Sequence, residues 1–157
     1  MLILASASKA RLELLESVGI SPDKILNTNI DETPRNSEKP LDYVSRIALE
    51  KNKAVKKKKS EIVLTADTVV ALGRRIIQKP NNEEEALYFL NLLSGRRHKV
   101  YTSICIFSKE KYYQKNVITT LKMKRLSDDE KKFYLLSNEW KGKAGGYSIQ
   151  GAASYFF

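Results

Sequence analysis

The run Glu61–Leu72, "EIVLTADTVVAL", constrains this chain more than any other stretch. It is apolar on both alternating faces, and such a strand is stable only where both faces are covered, as in the centre of an α/β sheet. Covering layers must therefore come from the rest of the chain. The one acidic residue in its interior, Asp67, needs a separate explanation.

The flanking segments supply those layers. "LILA" (Leu2–Ala5) has the character of a short buried strand. Ser8 can then cap a helix from Lys9 to about Val18, closed by Gly19, with Leu12, Leu14, Leu15 and Val18 as its apolar stripe. "KILNTNI" predicts a second strand, and the twice proline-punctuated "DETPRNSEKP" a loop. A helical period returns from Leu41 to about Lys57. Gly73 permits a hairpin turn into "RRIIQK". "NNEEEALYFLNLLSG" carries an asparagine cap and acidic first turn, with apolar spacing at Ala86, Phe89, Leu90 and Leu93. "KVYTSICIF" and "YYQKNVITTLKMKRL" predict two long antiparallel strands around "SKEK", and "SDDEKKFYLLSN" a helix with Ser127 and Glu130 as a capping box. With no repeat, linker or low-complexity segment, residues 1–157 are expected to form one mixed α/β domain.

Composition narrows the function classes. A net charge of +10 favours anionic partners, namely nucleic acid, anionic membrane or phosphorylated small molecules, although much of the surplus is lysine on solvated faces. The single cysteine, Cys105, lies in the apolar run "SICIF"; it can form no internal disulfide and reads as a packing thiol in a cytoplasmic protein. "MLILASASK" is too short to span a membrane and lacks the basic start of a secretion signal. One histidine, His98, cannot furnish a His-rich zinc site, and at a turn after "SGRR" it is expected at the surface. Catalysis is then expected from carboxylates and lysines, with a hard metal held by oxygen.

Polar groups that sit where the pattern demands carbon are the candidates, because a buried charge is costly unless something pairs with it. Val44, Ala48 and Val55 share a helix face, and the position that completes the stripe is Lys51. Its ammonium needs a carboxylate or a bound anion, unless the head reaches water. Asp67, with Thr68 beside it, stands in a strand that disfavours aspartate. In "LASASKARLELL" the amides of a helix start, the Ser6 and Ser8 hydroxyls, and Lys9 and Arg11 converge where a phosphate would fit. Lys79 precedes Pro80 in "QKPNN". "KAGGYSIQG" surrounds Tyr147 and Gln150 with glycines, so that backbone can approach a ligand while an amide reads its edges. Glu32 in "DETP" offers a second carboxylate, with Asp31 beside it as the alternative.

Taken in order, "LASASKARLELL", "DETP", "RIALEKNKA", "ADTVV", "QKP", "LSG" and "KAGGYSIQG" resemble the Maf family, the septum formation inhibitor-like nucleoside triphosphate pyrophosphatases. The pairing of "ADT" with "GYSIQG" is similar to the branch acting on dTTP and UTP. The resemblance implies a Maf/ITPase-like mixed sheet with flanking helices and two lobes around a cleft, often dimeric, clearing pyrimidine triphosphates to monophosphate and pyrophosphate. It makes Asp67 the catalytic carboxylate and a metal ligand, with Glu32 its partner on Mg²⁺ or Mn²⁺. It assigns Ser6, Ser8, Arg11, Lys51 and Lys79 to phosphate, and Thr68 and Gln150 to the base.

Two departures accompany the resemblance. Lys9-Ala10-Arg11 stands where the family carries Pro-Arg-Arg. The chain also ends at "AASYFF", expected mid-strand, before the family's closing strand and helix, which predicts exposed apolar surface, lowered stability and weak activity. The alternatives are a catalytically weak nucleotide-binding or division-regulatory protein, and a basic nucleic-acid-binding module. The last is disfavoured by the absence of an aromatic-glycine RNA-recognition signature.

Overall fold

A computed structural model describes residues 1–157. Six strands, β1 (Leu2–Ala5), β2 (Lys24–Leu26), β3 (Ile62–Leu72), β4 (Arg75–Ile77), β5 (Arg97–Ser108) and β6 (Lys111–Lys122), form one mixed sheet in the order β2-β1-β3-β5-β6, with β4 paired to β3. Four helices accompany them: α1 (Lys9–Ser17), α2 (Pro40–Ala54), α3 (Glu83–Leu93) and α4 (Asp128–Leu136). The doubly apolar segment is the central strand β3, as its pattern requires. β1 runs parallel to both β2 and β3, with Leu4 opposite Leu64, whereas β4 returns antiparallel with Ile77 opposite Val70. Lys109 and Glu110 join β5 to β6 with φ of 49° and 61°, the paired positive values of a tight hairpin turn. Two compact units result, Met1–Asp67 with Thr102–Val117, and Thr68–Tyr101 with Ile118–Phe157.

In the first unit Ile3, Ala5, Val55, Val63 and Phe107 form the core. α2 begins at Pro40, whose missing N–H costs nothing in a first turn, and buries Val44, Ile47, Ala48, Lys51 and Asn52 on one face. The last two positions of that stripe are polar, and both find partners. Asn52 Nδ2 donates to the carbonyls of Val63 (2.9 Å) and Cys105 (3.1 Å), and Thr65 Oγ1 donates to Ala48 O (2.8 Å), so α2 is stitched to β3 and β5 by bonds no water contests. Cys105 is buried, as expected of a packing thiol.

α1 lies where it was expected, but its apolar stripe is not buried. Leu14 and Val18 are 66% and 68% exposed and no residue of the helix is fully buried; Leu12 and Leu15 are half-buried, with Arg11 on the same side of the helix breaking the apolar stripe. Ser8 occupies the cap position, but its side chain makes no capping bond.

The second unit packs Val70, Ile77, Phe89, Leu90, Leu93, Met123, Tyr134, Leu135 and Trp140 into a larger core. Asn82 caps α3 by accepting from Glu85 N, and the Ser127–Glu130 capping box at α4 is complete. Gly145, with φ of 70°, donates to Gln78 O (3.0 Å) and lies so close to Val70 that a Cβ would overlap it.

His98 corrects the surface reading. It is 2% exposed, with Nε2 2.6 Å from Tyr147 Oη, because the first residues of β5 alternate and His98 takes an inward position. The last residues also differ from the strand expected there. Ala152–Phe156 is a 3₁₀ helix, Phe156 is fully buried with its ring 5.4 Å from that of Tyr134, and its carbonyl accepts from Lys124 N (2.7 Å). The aromatic end thus fills its own unit's core, and only Tyr155 and Phe157 remain substantially exposed.

Candidate active site

Six of the candidates lie in the first unit, and four side chains among them form one electrostatic group. Lys51, brought to the inner face of α2, places Nζ 2.8 Å from Asp67 Oδ1 and 2.9 Å from Glu32 Oε1. Lys51 and Asp67 are each buried, so the ammonium is held where its desolvation is offset only by those carboxylates. Arg11 Nη1 donates to Ser6 Oγ at 2.9 Å, and Ser8 N–H donates to the same oxygen at 3.2 Å. The buried Ser6 hydroxyl therefore fixes both the start of α1 and the direction of Arg11. Lys9 and Ala10 are exposed and take no part.

Burial pushes the Asp67 carboxyl above its ordinary value; Lys51, and less strongly Arg11, pull it down, while Glu32 pushes it further up. For Arg11, burial acts downward and the charges of Asp67 and Glu32 act upward, and a guanidinium so placed remains cationic. Two negative and two positive groups thus balance in one place. Oriented cations beside a carboxylate biased toward proton uptake suit an anionic ligand whose reaction needs a base.

The loop carrying Glu32 is fastened to α2 by residues that pattern reading passed over. Tyr43 Oη donates to Glu32 O (2.9 Å), and Arg46 donates to Thr33 O (3.2 Å) and to both oxygens of Glu38 (2.6 and 2.7 Å). Glu50 accepts from Arg46 and from Arg35. Asp31, the neighbouring alternative, is exposed and accepts from Thr33 N (2.9 Å); hydrogen bonding from the Thr33 side chain, and then from its backbone N–H, holds the carboxyl below the usual range. Asn52, next to Lys51, was missed as well. Its signal was present as a second polar residue on the apolar stripe.

A divalent metal, which the resemblance implies, would have these donors to bind. No group of three His, Cys, Asp or Glu side chains lies together, but two carboxylates, Asp67 and Glu32, already converge on one cation. That donor set fits Mg²⁺ or Mn²⁺ sharing its shell with substrate phosphate, and does not fit a metal caged by protein alone.

The remaining candidates belong to the second unit. Thr68 follows Asp67 on β3 and is half-buried. Lys79 is exposed after β4, anchored in sequence to the buried Pro80. Gln150 is exposed in a turn closed by Gly151 N–H donating to Ser148 O (3.1 Å).

In fold, the chain is an α/β protein similar to a solved HAM1 protein from Coxiella burnetii, with a TM-score of 0.50 at 14% identity, over 98% of this chain and 89% of that one. The Maf-like protein family model matches residues 1–157, and the chain belongs to that family. It is 50% identical over 151 residues to a dTTP/UTP pyrophosphatase of Ruegeria sp. (strain TM1040), covering 96% of this chain and 78% of the relative. With a dTTP/UTP pyrophosphatase of Cereibacter sphaeroides the identity is 52% over 155 residues, covering 99% and 81%. No helix is long and apolar enough to cross a membrane.

Proposed function

We propose that this protein is a nucleoside triphosphate pyrophosphatase that hydrolyses dTTP and UTP to the monophosphate and pyrophosphate, in the reducing cytoplasm that suits a lone buried cysteine. The observation that carries this reading is the buried Lys51 ammonium shared by Asp67 and Glu32, with Arg11 aimed by Ser6 beside them. Relatives of about half-identical sequence that carry the dTTP/UTP pyrophosphatase name support the substrate class.

Asp67 takes a proton from the water that attacks the α-phosphorus. A new P–O bond forms as the bond to the β-phosphate's bridging oxygen breaks, and pyrophosphate leaves with that electron pair. The raised affinity of Asp67 for protons suits it to this work. Lys51, Arg11 and Lys79 bind phosphate oxygens and balance the charge that grows on them. The first amides of α1, with the Ser6 and Ser8 hydroxyls, hold further oxygens. Mg²⁺ or Mn²⁺ held by Asp67 and Glu32 would supply charge neutralisation at the phosphates. Thr68 and Gln150 contact the base.

The test is pyrophosphate release from dTTP, UTP and 7-methyl-GTP in Mg²⁺. The expected result is turnover of the two pyrimidine substrates and loss of roughly 100-fold or more in Asp67→Asn. Turnover retained in that variant removes Asp67 as the base. Steeply salt-dependent oligonucleotide binding with intact triphosphates would instead favour the nucleic-acid-binding alternative.

A further inference from the structure

The segment Tyr147–Ala152 is held at three points by groups that the proposed chemistry leaves without a task. Tyr147 Oη meets His98 Nε2 at 2.6 Å, Ser148 N–H donates to Tyr134 Oη at 3.3 Å, and Ala152 N–H donates to Glu139 Oε2 at 2.7 Å. Between the last two anchors lies the Ser148–Gly151 turn with Gln150 exposed at its crest.

Glu139 is the only charged anchor. It is half-buried and enters no ion pair, although the chain carries 28 lysines and arginines, so its carboxylate is spent on a backbone amide. A hydrogen bond to a charged acceptor is roughly twice as strong as a neutral one. Trp140, 5% exposed and donating to Leu135 O at 3.1 Å, holds the adjoining backbone in place.

A second observation points to the same carboxylate. Gly151 has φ of −105°, which any residue can adopt, so backbone conformation does not demand glycine there. A Cβ at that position would, however, overlap the Glu139 carboxylate. Any side chain at position 151 would therefore have to displace the Glu139 carboxylate, the free end of a flexible side chain.

We infer that Glu139 is a positioning residue for base recognition: by taking the Ala152 amide through the gap left at Gly151, it sets the turn that presents Gln150. This rests on the reading of Gln150 as a base contact. Glu139 touches neither phosphate nor water in this role, so its loss acts on substrate choice and KM rather than on the chemical step.

The experiment compares Glu139→Ala, Glu139→Gln, Gly151→Ala and Gln150→Ala with the parent protein on dTTP, UTP and purine triphosphates, with thermal midpoints and hydrogen exchange at the Ala152 amide. Glu139→Ala and Gly151→Ala are each expected to raise KM for dTTP and UTP about ten-fold and to narrow the pyrimidine preference, with kcat changed by less than about three-fold. Both should speed exchange at Ala152. Glu139→Gln keeps an acceptor, though a weaker one, and should restore most of the parental KM and preference, with exchange at Ala152 between those of the parent and Glu139→Ala. If Gln150→Ala erases the preference while Glu139→Ala and Gly151→Ala retain it, the positioning role is overturned and the base-contact reading stands. If Gln150→Ala leaves the preference unchanged, both fall together.

Discussion

Asp67 and Lys51 were legible as residues because each breaks a packing rule on an otherwise apolar surface, and the 2.8 Å pair supplies the reason they can. The consequence appears in the pH dependence of kcat/KM. Asp67 must be unprotonated to accept a proton, and burial raises its pKa, so activity falls on acidification at a higher pH than an ordinary carboxylate would give. Lys51 opposes that rise. In Lys51→Met the residual activity should therefore lose its acid limb at a still higher pH, together with a fall of roughly ten-fold or more in kcat/KM, measured as pyrophosphate release from pH 4 to 8. An acid limb at an unchanged pH in that variant would separate the base from Asp67. The choice between Glu32 and Asp31 could not be read in the same way. Both are loop carboxylates, and Tyr43 and Arg46, from the helix that follows the loop, hold the backbone so that Glu32 is the one that reaches Lys51.

Most elements followed from periodicity and caps, as α3 and α4 illustrate with their asparagine cap and complete capping box. Leu90, fully buried on α3, should lose about 2–5 kcal/mol on Leu90→Ala, read as a lower denaturant midpoint. α1 formed where its cap and period placed it, but its expected stripe is only half-covered: Leu12 and Leu15 are half-buried, whereas Leu14 and Val18 face solvent. The Glu32 loop was readable only as a proline-punctuated loop, since the side chains that anchor it, Tyr43 and Arg46, lie outside it on α2. Its staple, Glu38 against Arg46, carries a pH signature. Hydrogen bonding from Arg46 lowers Glu38 from 4.5 to about 2. A depressed carboxylate contributes stability above its unfolded pKa, and that contribution is lost as pH falls through the folded value. The parent should therefore lose stability between about pH 4.5 and 2 more steeply than Glu38→Gln does, in acid titrations followed by circular dichroism. Equal slopes in the two proteins would leave the staple without energetic weight.

For the molecule as a whole, the absence of any three-residue metal cluster, with Lys51 already compensating Asp67 and Glu32, sets metal apart from folding. Chelation by EDTA should stop pyrophosphate release and leave the thermal midpoint where it was, with Mg²⁺ or Mn²⁺ restoring turnover; a lowered midpoint would indicate a structural ion. The +10 charge belongs to this scale too, and it named the sign of the partner without naming the partner. Local order was written in the chain itself: the central strand, the caps, the loop composition and the ordered motifs depend on neighbours a few residues apart, where propensity and burial period act. What the chain could not disclose depends on residues far apart in sequence. His98 is buried because β5 turns it toward Tyr147, Phe156 closes a core rather than extending a strand, and Glu139 finds Ala152 across a turn. Partners for buried polar groups are settled by packing in space, and a one-dimensional pattern carries no distance between them.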